Sequence, residues 1–365
     1  MIFEVSKDAL LESISTVIGV VERKQSMPIL SHLLVEGTSS GVRLVGTDLE
    51  VEIEALMQIE SSSEVKTTLP GRKLFDICRS LPDGCNVRLS IDNQKIKIES
   101  GKSKFSLVPL EPSEFPRMNQ VQSDQGNKIK SDVLLTLLEN TSFSMANQDV
   151  RHYLNGVMIS IHENQMIAVA TDGHRLAVSK ETIKNDEANN ISIIIPRKAV
   201  NELLKIVKSG ENIIFSPEKN QICVKTGSIS ITSKLIDGAF PDYEKVIPKD
   251  PKTTFIADRK NLKDTLQRVA ILSNEKYRGI RINIDKNQIL IKANNPEQEE
   301  AEEVLEVDYN GEPMEVGFNV SYLIEILNAI EDENIVFSLV DSSSSCLIHG
   351  NNDPKSKYVV MPMRL

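Results

Sequence analysis

The stretch that decides the fold is NQDVRHYLNGVMISIHENQMIAVATDGHRLAV, residues 147–178. Apolar and polar residues alternate over residues 157–161, and a second apolar run follows a short polar turn. Period-two alternation on both sides of such a turn predicts a β-hairpin. The flanking loops, residues 148–154 and 171–176, carry polar, basic and aromatic side chains. We therefore expect the strands to act as scaffold and the loops to carry the function.

This hairpin pattern occurs three times along the chain. The same order of elements, namely strand, turn, strand, polar link and strand, is predicted for three segments. They are HLLVEGTSSGVRLVGTDLEVEIEA, NGVMISIHENQMIAVATDGHRLAVSK and GIRINIDKNQILIKANNPEQEEAEEVLEV. Two amphipathic helices accompany each copy, and two more strands end it. The predicted helical spans are residues 6–24, 71–81, 128–142, 196–210, 258–271 and 319–335, with Ser6 and Asp258 as N-caps.

The regular spacing of these helices predicts three tandem domains rather than a short solenoid repeat. The chain has 365 residues, enough for two or three domains of about 100–150 residues each. We expect an α+β fold with domains at residues 1–124, 128–249 and 252–365, each with two helices covering an antiparallel sheet. The sheets could continue from one repeat to the next, which would hide their edges.

Bulk composition excludes several classes of protein. Hydrophobic residues make up 40% and charged residues 26%, as in an ordinary globular protein. No apolar run approaches the ~18 residues of a membrane span, and no secretory signal is visible. Four scattered cysteines without a CxxC pair are typical of reduced thiols and give no metal site. The sequence thus predicts a cytoplasmic protein without metal or cofactor.

The net charge of −10 argues, taken alone, against a nucleic-acid partner. The predicted helices nevertheless carry a small positive balance, concentrated on the second, fourth and fifth, with Arg72, Arg197 and Lys198 among the cations. These charges could simply be solvated helix faces. Alternatively, they form a mildly positive surface that faces phosphates inside an otherwise acidic body.

A second charge asymmetry separates the ends of the repeat array. The first repeat ends on a basic strand with alternate apolar residues, whereas the third carries an acidic run close to apolar residues at the end of its first helix. Such a pair of surfaces predicts head-to-tail association, which closes into a ring if the angles permit; a solvated acidic loop is the alternative. The candidate interface residues are Lys102, Lys104, Phe105, Leu107, Ile271, Leu272, Glu299, Glu300, Glu302 and Glu303.

Three further motifs are open to two interpretations. Asp172 and His174, with Ser179 nearby, could form a hydrolytic site, but no nucleophile or metal motif accompanies them, and a structural turn explains them as well. The apolar end of the chain, residues 358–365, either completes a core or lines a groove for peptides. The loop at residues 147–153 could contact sugar-phosphate or bases, or be an ordinary polar loop.

Taken together, the segments resemble the bacterial sliding-clamp family, the β subunit of DNA polymerase III, over the whole chain. They are PILSHLLVEG (28–37), GTDLEVE (46–52), QDVRHYLNG (148–156), ATDGHRLAV (170–178), DGAFPDYEKVIPK (237–249), LSNEKYRGIR (272–281), ANNPEQEEAEE (293–303), GFNVSYLIEILNA (317–329) and YVVMPMRL (358–365). The resemblance implies a non-catalytic processivity factor of the replicative polymerase.

The resemblance also implies an assembly and a set of partners. The family forms head-to-tail homodimeric rings of three-domain protomers, with helices lining the hole and sheets outside. The ring encircles duplex DNA, is opened by the clamp loader with ATP, and slides because its attraction to phosphates is weak and sequence-blind. The expected partners are the DNA polymerase III alpha subunit, the clamp loader, other polymerases and mismatch-repair proteins, bound through short Gln-Leu-Phe-type peptides, with no membrane involved.

The family's functional residues carry over position by position. The groove between the second and third domains falls on Leu154, Thr171, Gly173, His174, Arg175, Leu176, Pro241, Lys245, Val246, Asn319, Tyr322, Val359, Val360, Met361, Pro362, Met363, Arg364 and Leu365. Together with the cationic helices, the expected DNA-binding residues are Lys24, Arg72, Gln148, His152, Tyr153, Arg197 and Lys198. Lys245 replaces the family's common Arg, and His152 its common Tyr. The competing hypotheses are a peptide-binding scaffold that forms no ring and the hydrolase.

Overall fold

A computed structural model describes residues 3–21, 27–59, 65–92, 94–119, 126–184, 190–249, 251–352 and 355–364. The first repeat contains β1 (Phe3–Ser6), α1 (Lys7–Val17), β2 (His32–Thr38), β3 (Gly41–Thr47), β4 (Val51–Met57), β5 (Lys66–Pro70), α2 (Gly71–Ser80), β6 (Asn86–Asp92), β7 (Lys95–Ser100) and β8 (Ser103–Leu107). The second contains β9 (Asn127–Lys130), α3 (Ser131–Glu139), β10 (Gly156–His162), β11 (Gln165–Thr171), β12 (Arg175–Thr182), β13 (Ile191–Pro196), α4 (Arg197–Ile206), β14 (Asn212–Pro217), β15 (Gln221–Thr226) and β16 (Ile229–Lys234). The third contains β17 (Thr253–Asp258), α5 (Arg259–Val269), β18 (Gly279–Asp285), β19 (Gln288–Asn294), β20 (Glu300–Glu306), β21 (Met314–Asn319), α6 (Val320–Ala329), β22 (Asn334–Leu339), β23 (Cys346–Gly350) and β24 (Ser356–Val360).

The element order is identical in all three repeats, which confirms the α+β fold and the threefold repetition. The hairpin predicted from residues 147–178 is β10 and β11, paired with Ile159 opposite Ala168. Each helix is preceded by a short strand of four to six residues that the sequence did not reveal. These strands enter their helices directly, so no turn residue separates the two periodicities.

The helices are shorter than their apolar stripes predicted, but the predicted caps are confirmed. The helix α1 ends at Val17, because the chain continues from Ile18 as a 3₁₀ turn. The Ser6 hydroxyl accepts a hydrogen bond from the Ala9 amide at 3.3 Å. The Asp258 carboxylate accepts one from the Asn261 amide at 2.7 Å. Both caps satisfy amide groups that the first turn of a helix leaves unpaired.

The sheets continue from one repeat to the next, as the sequence predicted. One eight-stranded sheet has the order β5-β2-β3-β4-β16-β15-β14-β9, and the other has the order β13-β10-β11-β12-β24-β23-β22-β17. The joints are the antiparallel pairs β4–β16 and β12–β24. The remaining strands form two four-stranded sheets, β1-β6-β7-β8 and β20-β19-β18-β21. Because β8 and β20 have no neighbour on one side, they are edge strands.

The chain folds into two compact units that do not coincide with the repeats. One contains residues 1–132 and 198–235, and the other residues 133–197 and 236–365. Each unit contains one eight-stranded sheet, since pairing across the joints binds strands of neighbouring repeats together. The domain boundaries at residues 124–128 and 249–252 remain predictions, and residues 120–125 and 250 lie outside the described part.

The second unit has apolar clusters on both faces of its eight-stranded sheet. The larger cluster includes Phe255 and Phe337, whose rings stack with centroids 4.8 Å apart. The smaller cluster lies on the opposite face and includes Leu176 and Val359. Successive residues of a strand point to opposite faces, so Val360 packs into the larger cluster.

We expect Asp258→Ala to lower the free energy of unfolding by about 1 kcal/mol, because the Asn261 amide loses its acceptor. Asp258→Asn is the matched control, since an asparagine oxygen caps almost as well. Urea unfolding followed by circular dichroism measures both variants. Equal destabilisation by the two substitutions would contradict the capping role.

Candidate functional site

A turn held by side-chain hydrogen bonds lies at residues 171–175, between β11 and β12. The Thr171 hydroxyl donates to the Arg175 carbonyl at 2.5 Å and accepts from the Gly173 amide at 3.1 Å. One carboxylate oxygen of Asp172 accepts from the amides of His174 and Arg175 at 2.8 and 2.9 Å. Gly173 has φ +89°, a conformation that favours glycine, and a Cβ there would meet the Arg151 guanidinium at 2.9 Å.

The same turn occurs in the first repeat at residues 47–51. The Thr47 hydroxyl bonds the Val51 carbonyl and the Leu49 amide, each at 3.1 Å. The Asp48 carboxylate accepts from the amides of Glu50 and Val51 at 2.9 and 2.7 Å. The turn is therefore a shared feature of the first two repeats. Any function of residues 171–175 must come from the residues that surround them.

The Arg175 side chain connects this turn to other segments of the chain through ion pairs and hydrogen bonds. It is 9% exposed, pairs with Asp172 at 3.1 Å and with Glu325, and donates to the Phe143 carbonyl at 2.6 Å. Its guanidinium lies over the Tyr322 ring, 4.4 Å from the centroid. Several bonds and a stacked ring hold the planar group in one orientation, so the turn is rigid.

A cavity of about 190 Å³ with mainly apolar walls lies beside the turn. The end of the chain forms part of its wall, because the Met361 amide donates to the His174 carbonyl at 2.9 Å. The cavity is smaller than the ~300–1,000 Å³ of pockets for drug-sized ligands. Its lining residues are Arg151, Tyr153, Leu154, Thr171, Gly173, His174, Arg175, Leu176, Pro241, Tyr243, Val246, Val359 and Met361. This arrangement is suited to one or two apolar side chains with polar groups at the rim.

Ten of the predicted groove residues line this cavity, and the others lie elsewhere. The Val360 side chain does not line it, because this side chain faces the core on the opposite side of the sheet. Met363 and Arg364 line a neighbouring cavity. The cavity wall does not include Lys245, Asn319, Tyr322 or Pro362, and Leu365 lies outside the described residues.

Sequence reasoning missed Arg151 and Tyr243 as lining residues and assigned Tyr153 to DNA alone. Arg151 is held by Asp149, whose carboxylate accepts from its Nε and Nη2 at 3.0 and 2.9 Å. These hydrogen bonds, followed by one from the Arg151 amide, lower the pKa of Asp149 to about 2. The Asp-x-Arg spacing was the available signal for an ordered loop.

The remaining predicted DNA-binding residues divide into exposed and internally bonded side chains. Gln148 and His152 are exposed in the 148–153 loop. Arg72 donates to the Val21 carbonyl at 3.0 Å, and Arg197 donates to the Met145 carbonyl at 3.0 Å. Lys198 pairs with Asp48. Lys24 lies outside the described residues, so DNA contact by this whole set stays a prediction.

The predicted interface residues lie on or near the two edge strands. Lys104 and Phe105 belong to β8, and Glu300, Glu302 and Glu303 to β20. Leu107 is already buried, whereas Ile271 is 76% exposed. Several charges have partners within the chain. The pairs are Lys104–Glu99 at 3.4 Å, Lys292–Glu302 at 2.8 Å and Arg268–Glu303 at 2.6 Å.

The candidate hydrolytic residues are not arranged as a catalytic triad. The Asp172 carboxylate is occupied by backbone amides and Arg175, and Ser179 is 1% exposed and bonded to Ser356 at 2.9 Å. In the described ranges, no group of three or more His, Cys, Asp or Glu side chains could hold a metal ion. None of the described helices is long and apolar enough to cross a membrane.

Comparison with known proteins gives matches along the whole chain. Family models of the DNA polymerase III beta subunit match residues 1–119 (N-terminal domain), 128–242 (central domain) and 244–364 (C-terminal domain). The beta sliding clamps of Pseudomonas putida and Escherichia coli K12 are 42% and 43% identical over 367 residues, covering 100% of each chain.

Solved structures show the same likeness. The crystal structure of the Pseudomonas aeruginosa DNA polymerase III subunit beta superposes with a TM-score of 0.95 at 41% identity, covering 100% of both chains. The sliding clamp of Bartonella birtlesii bound to griselimycin gives 0.96 at 34% identity, again with 100% coverage of both.

Proposed function

The chain belongs to the family of DNA polymerase III beta subunits, the beta sliding clamps, and from that premise we propose that it closes into a head-to-tail homodimeric ring around duplex DNA. It is a processivity clamp of DNA replication, and its partners are DNA and a polymerase. The observation that carries the proposal is the full-length match together with three repeats of identical element order. A ring needs no catalytic residues of its own, and work on the bacterial chromosome implies a cytoplasmic location.

Strand pairing supports the proposed dimer. Each eight-stranded sheet joins the last strand of one repeat to the third hairpin strand of another, in the pairs β16–β4 and β24–β12. The same rule applied to the free edges pairs β8 of one protomer with β20 of its partner. At each contact, two four-stranded sheets would then form one eight-stranded sheet, and the β8 and β20 edges would be covered.

Charge supports the proposed mode of DNA binding. Several helix cations have acidic partners on the chain itself, such as Lys205–Glu202 at 2.7 Å and Lys260–Asp264 at 3.1 Å. Their attraction for phosphates is correspondingly weak, and the net charge is −10. Few strong phosphate contacts favour sliding, because each one would tighten static binding.

The apolar cavity supports a peptide-binding role. Leu176, Val246 and Val359 offer apolar walls, and Met361, 42% exposed, adapts to different side chains. Arg151, Thr171 and His174 supply polar contacts beside them. We infer that the cavity receives short Gln-Leu-Phe-type peptides from the DNA polymerase III alpha subunit, the clamp loader, other polymerases and mismatch-repair proteins.

Once loaded by a clamp loader with ATP, the protein should stay on nicked circular DNA and leave the same plasmid after linearisation, because a ring is retained topologically. Gel filtration of labelled protein with either DNA measures retention. Linear DNA with both ends blocked by bound protein is the control and should restore retention. Equal retention on open linear DNA would mean ordinary contact with DNA and contradict a closed ring.

We expect Lys102→Glu with Lys104→Glu to raise the dimer dissociation constant about tenfold or more, since two attractive edge charges become repulsive. The effect should shrink at high salt because exposed charges are screened. Sedimentation equilibrium measures it, against a chain mass of 40.7 kDa. Lys128→Glu with Lys130→Glu, on edge strand β9, is the matched control; an equal effect there would dismiss the β8–β20 interface.

Val246→Asp should weaken binding of a Gln-Leu-Phe peptide at least about tenfold, because a carboxylate would be desolvated against apolar walls. Val246 is 38% exposed, so the fold should tolerate the change. Fluorescence polarisation gives the affinity. Ile91→Asp, at a residue 54% exposed on β6, is the control. Unchanged affinity in the Val246 variant would refute the assignment of the cavity.

A further inference from the structure

A second cavity of about 740 Å³ lies on the outward face of the sheet formed by β18, β19 and β20. Inward-facing Ile280, Ile282 and Ile291 are buried in the core. Arg281 and Lys292 are paired neighbours on adjacent strands, so both side chains lie on the outward face. The cavity therefore lies over a rigid sheet.

Cations predominate among the charged residues of this wall. Arg281, Lys292 and Arg364 line it, against Glu300 and Glu302. The Lys292 ammonium neutralises Glu302 at 2.8 Å. Among the described residues, none forms a hydrogen bond or an ion pair with the guanidinium group of Arg281 or Arg364. Two free guanidinium groups in one wall favour a ligand with carboxylates, which they bind in bidentate fashion.

The end of the chain connects the two cavities. Met361 lines the first, and Met363 and Arg364 line the second. The Met363 amide donates to the Gly317 carbonyl at 2.8 Å, and Gly317 is the strand partner of Arg281. An extended chain rises about 3.3 Å per residue, so the cavities are roughly 7–10 Å apart along this segment.

From this geometry we propose that the second cavity is a subsite for an acidic segment flanking the apolar peptide of a partner. The inference rests on the proposed peptide-binding role of the first cavity. A peptide seated there needs about two or three further residues to reach the second cavity, and its Asp or Glu carboxylates then accept hydrogen bonds from Arg281 and Arg364. Tyr277, 56% exposed in the same wall, packs against the aliphatic part of the segment.

The test compares five labelled peptides by fluorescence polarisation at low salt. One is the Gln-Leu-Phe core alone, and the others extend it at the amino or carboxyl end by four Glu or by four Gln. We expect one of the Glu-extended peptides to bind about three- to tenfold more tightly than its Gln-extended counterpart, as two exposed ion pairs would give. This gain in affinity should disappear in the Arg281→Glu variant and also at high salt.

Lys286→Glu is the matched control, because Lys286 lies in the exposed turn at the opposite end of the same hairpin. The Lys286→Glu variant should keep the gain in affinity that the Glu extension gives. The Arg281→Glu variant should bind the core peptide normally but lose that gain. Equal affinity of Glu- and Gln-extended peptides, or equal loss in both variants, would overturn the acidic subsite. Failure of the core peptide to bind the unmodified protein would instead overturn the role of the first cavity.

Discussion

Backbone pairing between β12 and β24 is the interaction on which the candidate site depends. It sets Leu176 opposite Val359 and so brings the end of the chain beside the 171–175 turn. The apolar cavity exists only because these two segments, far apart in sequence, lie next to each other there. The equivalent β4–β16 pairing in the other unit shows that this is a general rule of the repeat. At each joint the edge of one repeat covers the edge of another, and the equivalent edges β8 and β20, which have no such partner within the described sheets, define the proposed dimer contact.

Comparison of the two turns shows how one repeated scaffold has different chemical surroundings at equivalent positions. In the second repeat, the residue after the turn is Leu176, which contributes an apolar wall. In the first repeat, Glu52 occupies that position and is 3% exposed. It accepts from the Arg117 guanidinium at 3.2 Å and the Met118 amide at 3.1 Å. The first repeat thus carries an ion pair at the position where the second repeat has an apolar wall.

Much of the fold could be predicted from local patterns. Ser6 and Asp258 cap helices because their oxygens reach free amides, and the hairpin at residues 147–178 follows from alternation. The candidate site was harder to predict from the sequence, since it depends on pairing between strands that are far apart along the chain. The end of the chain had been expected to be either core or groove. The structure divides these residues between two surroundings, because Val360 faces the core while Met361 lines the cavity.

The central position of β24 also bears on biosynthesis. It lies between β12 and β23 in the sheet, yet it leaves the ribosome after every other strand of that sheet. A nascent chain halted before residue 356 would present two unsatisfied strand edges, which are prone to join foreign strands. It would also lack Val359 and Met361, which line the apolar cavity. The formation of that cavity therefore has to wait for the synthesis of β24.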